Sequence, residues 1–549
     1  MAEVAVKIPG ASAGPTMESK ALIAEHVSNE IVFGIVGHVG SGTTAVAKAL
    51  KDVLEREQTA EGRFSAVIIK ARTAIEEGMK RIGQSLVPGA GKRLADVQRY
   101  QDAGDKLRER DHAAVAKGAV VLIRRERAAM QGTVPEPEKP VIPDGKPRAF
   151  IIDSLRHPAE IGLLRRIYGE GFVLIGVVCE HDERKKRISK KYDDAGDTNA
   201  ESFMRRDAKA VEKHGQRVSD AFHLSDFFVD NTAQRILDDG ITPNPDWEVT
   251  EELQRLTRLI THASVVRPTI AETAMHAAAG AGMRSACLSR QVGAALVDGD
   301  GNVIATGTNE VPKAGGGVYG EGFDVDQPDH RCAVGHKYCS NTQEQNKIAE
   351  AVLREILGDD DPRLRNREER EALLARIRDG RVGDLLEFSR AVHAEMDALL
   401  SAGRKGASTV GTRLFVTTFP CHYCARHIVS AGVDEVQFIE PYPKSQALTL
   451  HKDSIQFEKG AKRWIAPSSP QWREESKRAW EQGSPHVLFR PFTGVAPRMY
   501  GRAFQKDREL KDKITGDLAV QGPDWGTPYD LSRKSYAELE AALTKDISA

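Results

Sequence analysis

The chain has 549 residues, with 78 Lys or Arg against 79 Asp or Glu, so its formal net charge is −1. This length exceeds one ordinary core, and the balanced charge excludes a global field that would draw the chain onto nucleic acid or an anionic membrane. The N-terminus lacks a charged segment followed by an apolar one, and no run of eighteen apolar residues occurs. We therefore expect a cytoplasmic protein of two or three domains with no membrane contact.

The first half of the chain alternates between strand-like and helix-like segments. Residues 1–28 are small and polar and predict a flexible N-terminal arm. Strands are predicted for EIVFGIVG, RAFIIDSL and GFVLIGVVCE, and helices for AVAKALKDVLERE and PAEIGLLRRIY. This alternation is typical of a doubly wound α/β domain with a parallel sheet, which we place at residues 29–245.

A stretch rich in Pro, Asn and Asp near residues 240–250 predicts a domain boundary. The second domain, residues 250–505, is predicted to run helix, hairpin, long polar insertion, helix, strand, helix and strand. The hairpin carries the turn signal DGDGN between two apolar runs. Residues 506–549 are charged and predict a peripheral C-terminal tail.

A glycine-rich string follows the first predicted strand and opens the first predicted helix, which is the context of a phosphate-binding loop. Its residues are Gly37, Gly40, Gly42, Thr43 and Thr44. The lysine expected after the last glycine is replaced by Thr43, which removes the cation that reaches the outer phosphates. The loop therefore predicts binding of ATP, GTP or a dNTP and argues against phosphoryl transfer. Whether Mg²⁺ accompanies the nucleotide stays open.

The strongest chemical signal is His393-Ala394-Glu395, followed further along by Pro420-Cys421-His422-Tyr423-Cys424. Two cysteines three positions apart at a helix start lie on one face, where the helix N-terminus favours thiolates. His393 adds a neutral third ligand. Three protein ligands leave one tetrahedral position open, which distinguishes a catalytic zinc from a structural one.

Glu395 lies about 200° around a regular helix from His393, so both side chains cannot reach one metal from such a helix. We expect Glu395 to move protons beside the zinc, as in the H-x-E and P-C-x-x-C signature of zinc deaminases. The alternative is a closed structural zinc, which needs a fourth ligand; His422 and His427 are the candidates.

These motifs resemble the cytidine and deoxycytidylate deaminase superfamily over most of residues 265–505. The resemblance implies a cytidine deaminase-like α/β/α domain. The segment SRQVGAALVDGDGNVIATGTNEVP resembles the family's hairpin, in which Asn309 would bind the substrate base or sugar. The segment EPYPKSQALTLHKDS takes the place where such enzymes hold the nucleotide phosphate, so the resemblance implies Lys444 as a phosphate contact.

A second cluster of soft ligands lies in the polar insertion and consists of His330, Cys332, His336 and Cys339. Four such side chains within ten residues could close a structural zinc site. Related deoxycytidylate deaminases carry an additional zinc in this region, which favours the same interpretation. The alternative is a polar loop whose thiols bind nothing.

The N-terminal half resembles nucleoside monophosphate and dephospho-coenzyme A kinases. The resemblance lies in FIIDSLRHP, HDERKKRISKK and DFFVDNT. It implies a P-loop kinase-like domain in which Asp153 ends a strand and Arg156 sits where a phosphate-binding arginine would.

The domain order and motifs together resemble the bacterial anti-phage dCTP/dCMP deaminases. The resemblance implies zinc-dependent hydrolysis of dCTP, dCMP or both to deoxyuridine nucleotides with release of ammonia, which would deplete the dCTP pool during infection. The P-loop domain would sense a nucleotide effector or hold the enzyme inactive. The implied partners are the deoxycytidine nucleotide, further copies of the chain in a homo-oligomer, and a regulatory RNA or protein inhibitor.

Two alternatives to this function stay open. A nucleic-acid base deaminase, acting on tRNA, other RNA or single-stranded DNA, would share the zinc chemistry, but such proteins usually carry a basic stripe that this balanced chain lacks. A nucleotide-sensing signalling protein would bind ligands without turnover. Glu395→Ala separates the two classes, because a pure sensor needs no proton shuttle.

Overall fold

The computed structural model describes most of the chain, and the predicted N-terminal arm lies outside the described part except for Ser28. The described residues are 28–59, 62–86, 93–136, 139–208, 214–237, 239–262, 264–320, 328–442, 444–457, 464–470, 485–506, 511, 513–518 and 533–548. Every helix within these ranges is too short or too polar to cross a membrane.

Strands and helices alternate along most of the described chain. The strands are β1 Glu30–Val36, β2 Gln58–Thr59, β3 Gly62–Arg63, β4 Ser65–Lys70, β5 Arg148–Leu155, β6 Phe172–Val178, β7 Phe227–Asp230, β8 Gly293–Val297, β9 Val303–Thr308, β10 Arg413–Thr418, β11 Glu435–Glu440, β12 Ile455–Phe457, β13 Val487–Pro491 and β14 Gly494–Val495. The helices are α1 Thr43–Leu54, α2 Ala71–Arg81, α3 Leu94–Arg110, α4 Ala114–Met130, α5 Pro158–Tyr168, α6 His181–Lys191, α7 Asp197–Ala208, α8 Val218–Phe222, α9 Val249–Ile260, α10 Ile270–Gly282, α11 Ser340–Leu357, α12 Pro362–Arg365, α13 Arg367–Asp379, α14 Ala394–Arg404, α15 His422–Ser430, α16 Ala447–Leu450, α17 Tyr500–Phe504 and α18 Arg533–Ser548.

The first sheet has the strand order β14-β7-β6-β1-β5-β4. Its strands from β7 to β4 are parallel, and β14 adds an antiparallel edge. Every residue of β1 and of β6 is buried, as expected for parallel strands covered by helices on both faces. The parallel sheet predicted for the N-terminal half is therefore confirmed.

The second sheet has the strand order β12-β13-β11-β10-β8-β9. Strands β8 and β9 form the predicted antiparallel hairpin, and β10 joins it in an antiparallel pair. Strands β10, β11, β13 and β12 then run parallel to one another. The carboxyl end of β10 is the point from which α15 starts, and this end of the sheet carries the candidate site.

The two sheets share a hydrophobic cluster that includes Phe228 from the first sheet and Phe415 from the second. Packing also crosses the predicted boundary at 245–250, because Leu253 and Leu256 of α9 lie in the core of the first sheet with Val495. The apolar face of α9 covers α1 in this way. Residues 249–260 and 494–499 thus pack with the N-terminal sheet, while the predicted domain limits remain a prediction.

The C-terminal helix α18 differs from the predicted peripheral tail. Tyr536 and Glu540 on this helix are fully buried against the N-terminal half. Glu540 accepts two hydrogen bonds from the Arg127 guanidinium, at 2.5 and 3.0 Å. A charged segment can pack in this way because the buried arginine and carboxylate neutralise each other.

Candidate active site

The start of α15 holds the two motif cysteines. The chain leaves β10 at Thr418, and Cys421 caps α15 with an extended backbone. The Cys424 backbone N–H points at the Cys421 Sγ across 3.5 Å. A helix of nine residues with its positive end at these sulfurs favours the thiolate form.

The start of α14 holds His393 and Glu395. His393 is the cap of this helix rather than part of it, with φ −73° and ψ 154°. Backbone hydrogen bonds between Glu310 and Val392, at 2.9 and 3.2 Å, fix the segment before it to the end of β9. The sequence argument placed His393 and Glu395 on one regular helix. In the structure only Glu395 lies in that helix, so the angular separation calculated for a helix does not apply to His393.

The two helix starts bring His393, Cys421 and Cys424 into one group. The His393 Nδ1 lies 3.3 Å from the Cys421 Sγ and 3.4 Å from the Cys424 Sγ. A tetrahedral Zn²⁺ with bonds of about 2.0 Å to nitrogen and about 2.3 Å to sulfur has N···S edges of about 3.5 Å. The three donors therefore fit a zinc ion.

The group has three members among the described residues, and neither His422 nor His427 joins it. This geometry disfavours the closed structural zinc. Hydrogen bonds from the Cys424 thiol and from His393 lower the pKa of Cys421 to about 4. A low thiol pKa suits a metal ligand, since the thiolate is the binding form.

Glu395 lies in the first turn of α14 and is 4% exposed. Burial raises its pKa to about 7. A carboxyl group whose pKa lies near neutral pH exists in both protonation states there, which a general acid and base requires. Its neighbours are the metal-ligand candidates His393 and Cys424.

A cavity of about 270 Å³ opens beside these residues. Its polar and aromatic lining includes Ser289, Arg290, Asn309, Asn341, Arg390, His393, Glu395, Thr418, Phe419 and Tyr442. Reactive groups, hydrogen-bonding groups and guanidinium groups thus face one space.

Asn309 lines the cavity but is held by the chain. Its Oδ1 accepts from the Val292 N–H, and its Nδ2 donates to the Arg290 carbonyl, both at 2.7 Å. In this arrangement Asn309 braces the segment before β8. Its predicted role in binding the base or sugar stays a prediction.

Lys444 is not among the lining residues of this cavity. Its Nζ donates to the Gly383 carbonyl at 2.9 Å and lies 3.0 Å from the Asp384 carboxylate. The sequence interpretation missed Arg290 and Arg390, which do line the cavity. The SRQ segment before the hairpin could have indicated Arg290, whereas nothing in the spacing indicated Arg390.

Three of the four residues of the second ligand cluster have side chains that the structure describes. Cys332 and Cys339 line the same cavity as Glu395, and the His330 ring lies edge-on to Tyr319 at 5.3 Å. Among the residues whose side chains are described, which exclude His336, these do not form a group close enough to hold an ion. The second zinc therefore stays a prediction.

The predicted phosphate-binding loop lies between β1 and α1, beside the end of β5. The Thr44 hydroxyl donates to the Asp153 carboxylate at 2.7 Å, and Arg156 donates to the Gly37 carbonyl at 3.1 Å. Gly40 and Gly42 have φ of 86° and 82°, a backbone region that favours glycine. The structure thus brings together Gly37, Gly40, Gly42, Thr43, Thr44, Asp153 and Arg156.

Comparison with known proteins concerns mainly the second half of the chain. The family profile for the cytidine and deoxycytidylate deaminase zinc-binding region matches residues 268–440. The deoxycytidylate deaminase of Enterobacteria phage T2 is 28% identical over 180 residues, which cover 32% of this chain and 82% of that protein. A UPF0200 protein of Halobacterium salinarum is 28% identical over 167 residues, which cover 28% of this chain and 85% of its own length.

A crystal structure of dCMP deaminase from the cyanophage S-TIM5, in complex with dCMP and dUMP, has a TM-score of 0.20 and 21% identity, covering 34% of this chain and 93% of that one. A TM-score this low supports no conclusion about this chain. The conclusion rests on the profile match and on the group formed by His393, Cys421 and Cys424. The chain therefore contains a zinc-binding, deoxycytidylate deaminase-like domain, which makes it a hydrolase of the cytosine-nucleotide deaminase type.

Proposed function

We propose that this chain hydrolyses the bond between C4 and the amino nitrogen of a deoxycytidine nucleotide, dCMP or dCTP, to give the deoxyuridine nucleotide and ammonia. The observation that carries the proposal is the buried Glu395 beside a metal group of three ligands, at the wall of an open cavity. A structural zinc needs neither an open coordination position nor a buried carboxyl group next to it. Both are requirements of zinc-assisted deamination.

The chain's own residues divide the work as follows. A bound Zn²⁺ supplies a Lewis acid that lowers the pKa of water. Glu395 takes one proton from the attacking water and delivers it to N3, and it then moves the proton of the hydroxyl added at C4 to the leaving amine. Oxygen from water becomes the C4 carbonyl, and nitrogen leaves as ammonia. Phe419 and Tyr442 offer aromatic faces to the base in the same cavity.

Two guanidinium groups favour a nucleotide over a nucleoside as substrate. Arg290 and Arg390 both line the cavity, and the Arg390 Nη1 is buried without a hydrogen-bond partner among the described residues. A phosphate oxygen would satisfy that donor. Arg290 is already paired with Glu440 at 2.7 Å and lies near the Tyr442 ring. We therefore assign the phosphate contact to Arg390 in preference to Lys444.

We further propose that the N-terminal half is a P-loop kinase-like domain that binds a nucleotide effector and regulates the deaminase. The proposal is supported by the glycine-rich loop between β1 and α1 and by its position beside Asp153 and Arg156. Depletion of dCTP during phage infection, a homo-oligomeric state, and restraint by an RNA or protein inhibitor belong to the same proposal. They rest on the resemblance in domain order.

The test is to incubate the zinc-loaded full chain with dCMP, dCTP and CTP and to follow ammonia release and the loss of cytosine absorbance. We expect turnover of at least one deoxycytidine nucleotide and weak or no turnover of deoxycytidine itself, because the nucleoside leaves Arg390 without its phosphate. A chain that contains zinc but deaminates none of the nucleotides would remove the proposal. Turnover of a cytosine in tRNA or single-stranded DNA alone would replace it with the nucleic-acid alternative.

A further inference from the structure

A second cavity, of about 480 Å³, lies in the N-terminal half and shares no lining residue with the cavity at Glu395. It is lined by the β1–α1 loop and by residues of α2, α3, α6 and α7. Its lining includes Gly40, Gly42, Thr43, Thr44, Lys70 and Gln101.

The loop side of this cavity presents free backbone donors. Among the described residues, the N–H groups of Gly40, Gly42, Thr43 and Thr44 have no acceptor, and α1 has no side-chain cap. Unpaired N–H groups at the positive end of a helix favour an anion such as phosphate.

Lys70 supplies a cation that the loop itself lacks. It ends β4, which pairs in parallel with β5 so that Lys70 is opposite Asp153. Its Nζ lies 2.5 Å from the Asp153 Oδ2 and 3.5 Å from the Thr44 Oγ1. In phosphate-binding loops, the equivalent hydroxyl and a nearby carboxylate hold Mg²⁺. Here the Thr44 hydroxyl and the Lys70 ammonium both donate to the same Asp153 oxygen, Oδ2, which brings a positive charge next to the free amides.

A second, independent observation comes from α3. Gln101 is 5% exposed, and its Nε2 donates to the Gln216 Oε1 at 3.1 Å. Its Oε1 has no partner within the described residues. A buried carbonyl left without a donor is destabilising. A ligand N–H in the cavity would satisfy this oxygen, and Tyr100, Tyr192 and Phe203 also line the cavity.

We propose that this cavity binds a nucleotide without Mg²⁺, with its phosphate on the loop amides, Lys70 as its counter-cation, and a base N–H donated to Gln101. The inference rests on the proposed nucleotide-binding role of the N-terminal half and deepens it by naming the cation, the base contact and the metal independence. It does not depend on the deaminase reaction. Binding, without phosphoryl transfer, is the role of the site.

The experiment titrates the full chain with ATP, GTP, dTTP and dUMP by calorimetry, in buffer freed of divalent cations, with and without added MgCl₂. We expect at least one probe to bind, with a Kd that Mg²⁺ changes by less than about threefold, well under 1 kcal/mol. Lys70→Gln should weaken binding by about tenfold or more without Mg²⁺, and Gln101→Leu by about tenfold. Lys51→Gln is the matched control, because Lys51 is similarly exposed, is also paired with a carboxylate and lies outside the cavity.

Three results would overturn the inference: no probe binds, the unchanged chain needs Mg²⁺ to bind, or Lys70→Gln binds as the unchanged chain does. If Lys70→Gln does not fold, Lys70→Arg replaces it and must keep binding free of Mg²⁺. A probe whose binding Lys70→Gln leaves intact is assigned to the Glu395 cavity and does not count as support for the inference. Ammonia release from dCMP, measured separately, reports on the deaminase, so either proposal can fail without the other.

Discussion

The cavity at Glu395 takes its reactive groups from the starts of two helices, whereas the cavity at the β1–α1 loop takes its charges from the ends of neighbouring parallel strands. In the first, His393 and Glu395 are almost adjacent in sequence, as are Cys421 and Cys424. In the second, Lys70 meets Asp153 only through the pairing of β4 with β5. Reactive residues at one helix start are close together in the sequence and form a short motif. Lys70 and Asp153, at the ends of two paired strands, are far apart in the sequence and form no such motif.

The largest expected effect tests whether the first cavity depends on one carboxyl group. Glu395→Gln should lower turnover of the deoxycytidine nucleotide by about 10³-fold, because a positioned acid–base group contributes about 10²–10⁴. Turnover by ammonia release and zinc content by elemental analysis are the measurements. Asp397→Asn is the control, since Asp397 is also buried on α14 but holds the Thr308 N–H outside the cavity. Loss of zinc in Glu395→Gln would contradict a proton-transfer role.

The sequence predicted the first cavity better than the second because the residues of the first belong to short motifs. The spacing of His393, Glu395 and the cysteine pair named the metal group directly. It did not name Arg390, which lies three residues before His393 and lines the cavity with it, and it chose Lys444, whose side chain contacts Gly383 and Asp384 instead.

The fold followed a similar rule. Apolar runs such as that of β1, buried on both faces, predicted the parallel sheet, and the DGDGN turn predicted the β8–β9 hairpin. Contacts between distant segments were missed. The pairing of β14 with β7 and the burial of α18 need tertiary structure, because neither two residues of strand nor a charged helix carries a local signal of its partner.

The second prediction concerns the charges that stabilise the N-terminal half itself. Arg127→Ala should destabilise the chain by about 3–5 kcal/mol, because it removes the guanidinium group that contacts both buried carboxylates, Glu30 and Glu540. Urea unfolding and limited proteolysis of α18 measure the effect. Arg125→Ala is the control, since Arg125 lies on the same helix but is half-exposed and pairs with Glu77 at the surface. An equal loss in both variants would contradict the role assigned to the buried cluster.

The third prediction concerns the close packing of β9 against the start of α14. A Cβ at Gly307 would lie 2.1 Å from the Ala394 carbonyl oxygen and 2.3 Å from the Ala398 nitrogen, so β9 and α14 would have to separate. Gly307→Ala should cost about 2 kcal/mol of stability and reduce turnover, because α14 carries His393 and Glu395. Gly403→Ala on the same helix meets nothing within 4 Å and should be neutral or stabilising. Thermal midpoints and ammonia release, measured on both variants, decide whether the close approach positions the site.

The last prediction concerns a pH dependence in the N-terminal half. Burial raises the pKa of Glu252 to about 8, from an ordinary value of 4.5, and the hydrogen bond from the Asp230 N–H offsets only part of this increase. Between these two values the folded chain holds a proton that the unfolded chain has released, so this group's contribution to stability falls as pH rises through that window.

Glu252→Gln cannot lose that proton and keeps an acceptor for the Asp230 N–H, which lies 3.3 Å from the carboxylate. The decrease in unfolding free energy between pH 5 and pH 8 should therefore be smaller in this variant by about 3 kcal/mol. Glu251→Gln, an exposed neighbour on α9, is the control and should follow the unchanged chain. Parallel urea titrations of all three proteins at both pH values give the comparison. Identical pH dependence in Glu252→Gln and the unchanged chain would mean that Glu252 ionises in the folded state as it does in the unfolded one.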